Sequence, residues 1–134
     1  MPTGSDHYVI SYDDAITAHE IVLGVSGGRS GILSEASLLS ALARPYCGYF
    51  EPLEEKAAVL MEAIVQNHGF VDGNKRSAVF LAFAMIQLSG FEIMPNSTDD
   101  DIDLQMEDMA VALAEGGIKA DTIIAWLRPR IKPM

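Results

Sequence analysis

Residues 78–86 read Ala-Val-Phe-Leu-Ala-Phe-Ala-Met-Ile, an unbroken apolar run that no exposed element could carry. The spacing predicts a helix over about 74–89, ended by Gly90. A helix that is hydrophobic all round belongs at the centre of a bundle. The segment before it, from about Leu53 to Asn67, repeats Ala57, Leu60, Met61, Ile64 and Val65 at three- and four-residue spacing, with Glu54, Glu55 and Glu62 on other faces. With 134 residues the chain has room for one domain, 1–134, that buries roughly two-thirds of its unfolded surface without disulfides or structural metal.

Four more helices are expected around this pair. Ser11-Tyr12-Asp13-Asp14 has the spacing of a capping box, with an acid in the usual Glu or Gln position, and opens a first helix over about 12–23. Gly24, Gly27, Gly28 and Gly31 make 24–32 a flexible loop or flap around Arg29 and Ser30. Ser34 caps a second helix that carries Leu38, Leu39, Ala41 and Leu42 and stops before Pro45. Tyr46, Tyr49 and Phe50 form an aromatic connection, and Phe91-Glu92-Ile93-Met94 before Pro95 reads as a short extended piece. Thr98 or Asp99 caps a fifth helix to about Glu115, and Gly116-Gly117 separates it from a last one near 120–128. Nothing repeats at a fixed period.

Net charge is −10 and the sequence pI is near 4.5. That argues against direct nucleic-acid binding, which needs many Lys and Arg to neutralise phosphates, and favours a basic partner segment. The stretch before Tyr12 has no basic or apolar leader pattern, and no apolar stretch reaches about 18 residues, so the expectation is a soluble cytoplasmic protein with no membrane partner. A lone Cys47 suits a reducing compartment, and with no His near it in sequence it is expected to be a small buried thiol. The acidic group Asp99, Asp100, Asp101, Asp103, Glu107 and Asp108 reads most simply as a helix start favoured by the dipole plus a solvated face, with a docking surface for a basic segment as the second reading.

Chemistry concentrates between the two long helices, in His68-Gly69-Phe70-Val71-Asp72-Gly73-Asn74-Lys75-Arg76. If the second helix starts at Gly73 or Asn74, its free N–H groups and positive dipole end face whatever lies over the loop, and phosphate is the natural ligand. Gly73 lets backbone approach phosphate closely, and Lys75 and Arg76 add charge and directional donors. Asp72 is a hard carboxylate suited to Mg²⁺. His68 is suited to take a proton from an attacking hydroxyl. Phe70 is the hydrophobic anchor. Taken singly, each has an ordinary structural explanation: a hydrogen-bonding His, an Asp-Gly turn, a solvated basic helix start. Their order within nine residues weakens those explanations. His7, His19 and His68 share no metal-ligand spacing on one element.

That ordered run resembles the Fic/Doc superfamily, whose Doc-type members carry H-x-F-x-D-A/G-N-K-R. Gly27-Gly28 through Leu38-Leu39-Ser40-Ala41-Leu42-Ala43-Arg44-Pro45, and Glu55-Lys56-Ala57-Ala58 into Asn67-His68, look like the same pattern, so the resemblance covers about residues 12–95. It implies an all-α, compact bundle of about six helices with a small flap and one short extended segment. It further implies His68 as general base, Asp72 as Mg²⁺ ligand, Gly73, Asn74, Lys75 and Arg76 around the phosphates of ATP, and a flap at Gly28, Arg29 and Ser30 that docks the target polypeptide.

Two positions separate the branches of that family. Fic-type adenylyltransferases have glycine where this chain has Lys75, and a second arginine where it has Val79. Residues three apart share a helix face, so the paired-arginine clamp of those enzymes is absent. The Doc-type resemblance instead implies a reversed nucleotide and transfer of the γ-phosphate to a host protein, elongation factor Tu, with a small antitoxin whose C-terminal segment covers the site. Gly73, where plasmid-type Doc motifs have Ala, is the one residue leaning toward the Fic pattern.

Overall fold

The computed structural model describes residues 7–98 and 100–134. Among them six α-helices follow in chain order: α1 Tyr12–Ser26, α2 Glu35–Ala43, α3 Leu53–Asn67, α4 Asn74–Leu88, α5 Ile102–Glu115 and α6 Ala120–Leu127. A 3-10 turn, Arg44–Tyr46, follows α2. Two short strands, β1 Phe91–Ile93 and β2 Ile131–Pro133, pair antiparallel. The mostly helical architecture with one short extended element is the expected fold class; β2, three residues at the C-terminal end, is too short to show a period in sequence.

The capping box at α1 forms as its spacing predicts: Asp14 N donates to Ser11 Oγ at 3.0 Å and Ser11 N to Asp14 Oδ2 at 2.9 Å. The helix runs to Ser26 rather than ending near 23. Gly24 costs only about 1 kcal/mol inside a helix, and the first glycine with positive φ is Gly27, at 74°. The flap therefore begins there.

The centre of the bundle is α3, not the more apolar α4. Helix α3 packs against α2, α4, α5 and α6, and Leu53, Ala57, Leu60 and Met61 are fully covered. Helix α4 buries Ala78, Leu81, Ala82, Met85 and Ile86 but leaves Phe80 37% and Leu88 61% exposed. Apolar composition all round a helix says nothing about which face its neighbours reach. The uncovered face of α4 becomes the wall of a groove beside α1 and α5. Glu54, which the spacing places off the apolar face of α3, is nevertheless buried, with Oε2 accepting from Arg128 Nε at 2.8 Å. Cys47 is exposed rather than buried, because Pro45 is the residue of that turn that enters the core.

Helix α5 begins later than expected. Asp101 is its N-cap, with Oδ1 accepting from Leu104 N at 3.1 Å; Thr98 lies outside the helix, and Asp99 lies outside the described residues. Asp100 is held by other partners: its carboxylate receives Arg130 Nε at 2.8 Å and Nη2 at 3.2 Å, and Asn96 N at 2.8 Å. Arg130 lies over the Trp126 ring, 4.4 Å from its centroid. These bonds fasten the β1–α5 connection to the C-terminal end.

The Arg130 guanidinium lowers the Asp100 carboxyl to about 2. A depressed folded-state value means this contribution is complete above the unfolded value near 3.9 and is lost as pH falls through the folded one. Thermal melts should therefore drop between about pH 4 and pH 2, and Asp100→Asn should flatten that part of the profile. No helix of the described residues is long and apolar enough to cross a membrane.

Candidate active site

Helix α3 ends on His68, which takes a left-handed conformation (φ 50, ψ 50) as its C-cap. This is the one described non-glycine residue with positive φ, a geometry that costs about 1–3 kcal/mol and persists only where neighbours impose it. The neighbours here are the start of α2 and the loop before it. Gly69 O accepts from Leu33 N at 2.8 Å and Ser34 N at 3.1 Å, and Asn67 Nδ2 donates to Ser37 O at 3.0 Å. A Cβ on Gly69 would lie 2.7 Å from Leu38 Cβ and 2.9 Å from its Cα. The result is an exposed imidazole on a rigid turn.

Gly69→Ala should consequently destabilise the protein by about 1–3 kcal/mol, the usual cost of overpacking, and displace His68. Denaturant unfolding measures the first and activity the second; a variant as stable as the parent would mean that α2 yields readily.

Phe70 is the anchor expected of it, fully buried, and the loop beside it meets the flap: Ile32 and Phe70 form an isolated bridge, and Val71 N donates to Gly31 O at 3.0 Å. Asn74 uses its side chain to shape this loop, its Oδ1 accepting from Phe70 N at 3.1 Å and its Nδ2 donating to Phe70 O at 2.9 Å. Its amide is thus turned to the loop, which leaves its backbone N–H as the group suited to an anion.

Asp72 is exposed, and both carboxylate oxygens accept backbone hydrogens: Oδ2 from Arg29 N at 3.1 Å, Oδ1 from Gly73 N at 2.9 Å. Those two N–H groups hold its carboxyl below the usual range, helped by the charge of Arg29. Each oxygen has two lone pairs, so one on each is still available to a hard cation. A single ionised carboxylate beside an uncapped helix start is the kind of donor set that Mg²⁺ uses when phosphates and waters complete its shell, so the residues fit that metal.

Gly73 is the N-cap of α4, at φ 78, with no side-chain cap on the helix. The left-handed backbone accounts for glycine at this position, while an added Cβ would meet His19 at an ordinary 3.5 Å. The glycine is therefore accounted for by its backbone and does not by itself favour one branch of the motif over the other. Lys75 and Arg76 follow on the exposed first turn. They line a cavity of about 150 Å³ with Val79, Glu107, Ala110 and Val111. Arg76 thus has Val79 beside it, as the spacing predicts, and a carboxylate from α5 on the same wall.

The flap reaches this site at its first residues. Gly28 lies so close that a Cβ would stand 2.9 Å from Asp72 Oδ2; Arg29 supplies the N–H, and Ser30 is exposed. One element escaped the sequence reading. His19 on α1 is buried, stacks on Phe70 with ring centroids 3.8 Å apart and planes within 4°, and hydrogen-bonds Asp72 O at 2.7 Å. Its signal was present: a polar residue among Ala15, Ala18 and Val22 on the buried face of α1.

Residues 9–86 match the Fic/DOC family. Toxin Doc of Mycolicibacterium smegmatis (strain ATCC 700084 / mc(2)155) is 31% identical over 120 residues, covering 86% of this chain and 87% of that protein. The match takes in the flap, the His68 turn and the α4 start, the elements that the geometry joins, and the chain belongs to the Fic/Doc family as a Doc-type member.

Proposed function

We propose that the protein is the toxin of a toxin–antitoxin pair and transfers the γ-phosphate of ATP to a serine or threonine hydroxyl of a host protein, elongation factor Tu by resemblance. The observation that carries phosphoryl rather than adenylyl transfer is the wall around Arg76. Val79 supplies no second guanidinium, and Glu107 lines the same cavity, where its charge opposes a triphosphate tail reaching in. Phosphates are better held over the uncapped start of α4, by its N–H groups and by Lys75 and Arg76.

In this reading Asp72 holds Mg²⁺, which when bound neutralises charge on the phosphates. The flap at Gly28, Arg29 and Ser30 presents the target chain alongside, and His68 accepts the proton of the acceptor hydroxyl. As the new oxygen–phosphorus bond forms, the bond from the γ-phosphorus to the bridging oxygen breaks and ADP leaves with that electron pair. Lys75, Arg76 and the α4 N–H groups stabilise charge on the group in flight.

The antitoxin is proposed to lie in the groove beside α1, α4 and α5. Ile21, Val25, Phe80 and Phe83 make it apolar while Arg76 and Glu107 line its floor. An amphipathic segment with basic flanks fits such a surface and would cover Arg76. Incubating the protein with a cell lysate and ATP labelled at either the α or the γ position tests the reaction. Label should pass to protein from the γ position; transfer from the α position alone would overturn the reading.

A further inference from the structure

We propose that His19 is a positioning residue for the reaction above: it fixes the Asp72 peptide so that the carboxylate stays aimed at the start of α4. The inference rests on the reading of Asp72 as the Mg²⁺ ligand. A backbone carbonyl only accepts hydrogen bonds, so the 2.7 Å contact requires the proton on His19 Nε2. The same ring stacks on Phe70, two residues earlier. It therefore grips the motif loop at two points, by its face at Phe70 and by its edge at Asp72.

Asp72 needs such a hold. Its side chain is exposed, and the other described hydrogen bonds to it come from the flap, through Arg29 N, and from its own neighbour, Gly73 N. Arg29 lies in the glycine-rich flap, and Gly73 is the adjoining residue at the N-cap of α4. The bond from α1 is the one that ties Asp72 to the helical core. Packing alone does not call for an imidazole here: a buried polar ring is costly unless its polar atoms are bonded, and the rest of that face is Ala15, Ala18 and Val22. The ring edge also lies beneath Gly73, with Cδ2 and Nε2 each 3.5 Å from where a Cβ would be. His19 thus supports the metal residue and the helix start together.

Two substitutions separate the donor from the ring. His19→Phe keeps the stack on Phe70 and deletes the N–H; His19→Gln deletes the ring and keeps an N–H donor at similar reach. Each is titrated with ATP by calorimetry, in magnesium and in chelator, with thermal melts alongside. His19→Phe should melt within a few degrees of the parent yet lose about 10–100-fold in affinity for magnesium-ATP, the usual effect of removing a partner that orients a metal ligand. Affinity in chelator should change far less, and His19→Gln should recover most of the loss. Parental affinity in His19→Phe, or His19→Gln as weak as His19→Phe, overturns the inference while the metal role of Asp72 stands. A parent protein that shows no magnesium-dependent binding of ATP removes that role and the inference with it. If His19→Phe does not fold, His19→Gln decides alone: retained affinity supports the donor, and a tenfold loss overturns it.

Discussion

Expression of the His68→Ala variant should leave cells growing, with the transfer rate down by about 10²–10⁴, the range over which general-base help operates. The imidazole is exposed at the end of α3, so its removal takes little packing from the core, and alanine inherits the same left-handed backbone. The melting temperature should therefore stay close to the parent's. That combination separates a chemical role from a structural one. Growth arrest at full strength from a well-expressed His68→Ala protein would remove the base assignment.

Asp72→Asn should weaken ATP binding in magnesium by tenfold or more, on the order expected when a metal site is disturbed, and leave binding in chelator nearly unchanged. The amide oxygen still accepts from a backbone N–H, so the contact with Arg29 that seats the flap is not the main loss. What disappears is the negative charge, and that charge is secure in the parent, where the Arg29 and Gly73 N–H groups hold the carboxyl below its ordinary range. Calorimetric titration in the two media measures the difference. Equal losses in both would point to the flap or the loop instead of the metal.

Short-range chemistry made much of this fold legible. The Ser11–Asp14 capping box, the Ser34 cap and the bounds of α3 follow from spacing that acts within a few residues. What depended on distant partners was not readable in the same way. Helix α4 looks more buried than α3 in sequence, yet neighbours decide which face is covered. Glu54 is inside because Arg128 meets it from the far end of the chain, and Asp100 stays out of α5 because Arg130 holds it. At the site, the nine-residue run supplied the chemistry but not its supports. His19 lies 53 residues before Asp72, and the tight approach of Gly69 to Leu38 depends on how α2 docks. Gly73 was ambiguous as a letter and is accounted for by its φ of 78.

The central claim is that the γ-phosphate moves, and the mass of the modified target tests it most directly. Lys75 occupies the position where a Fic-type enzyme has glycine, and Val79 leaves Arg76 without a second guanidinium. Both residues line the cavity next to Glu107. Intact-protein and peptide mass spectrometry of elongation factor Tu recovered after reaction with ATP should show the mass of one added phosphate on a serine or threonine, absent with His68→Ala. An added AMP on that residue would contradict the account.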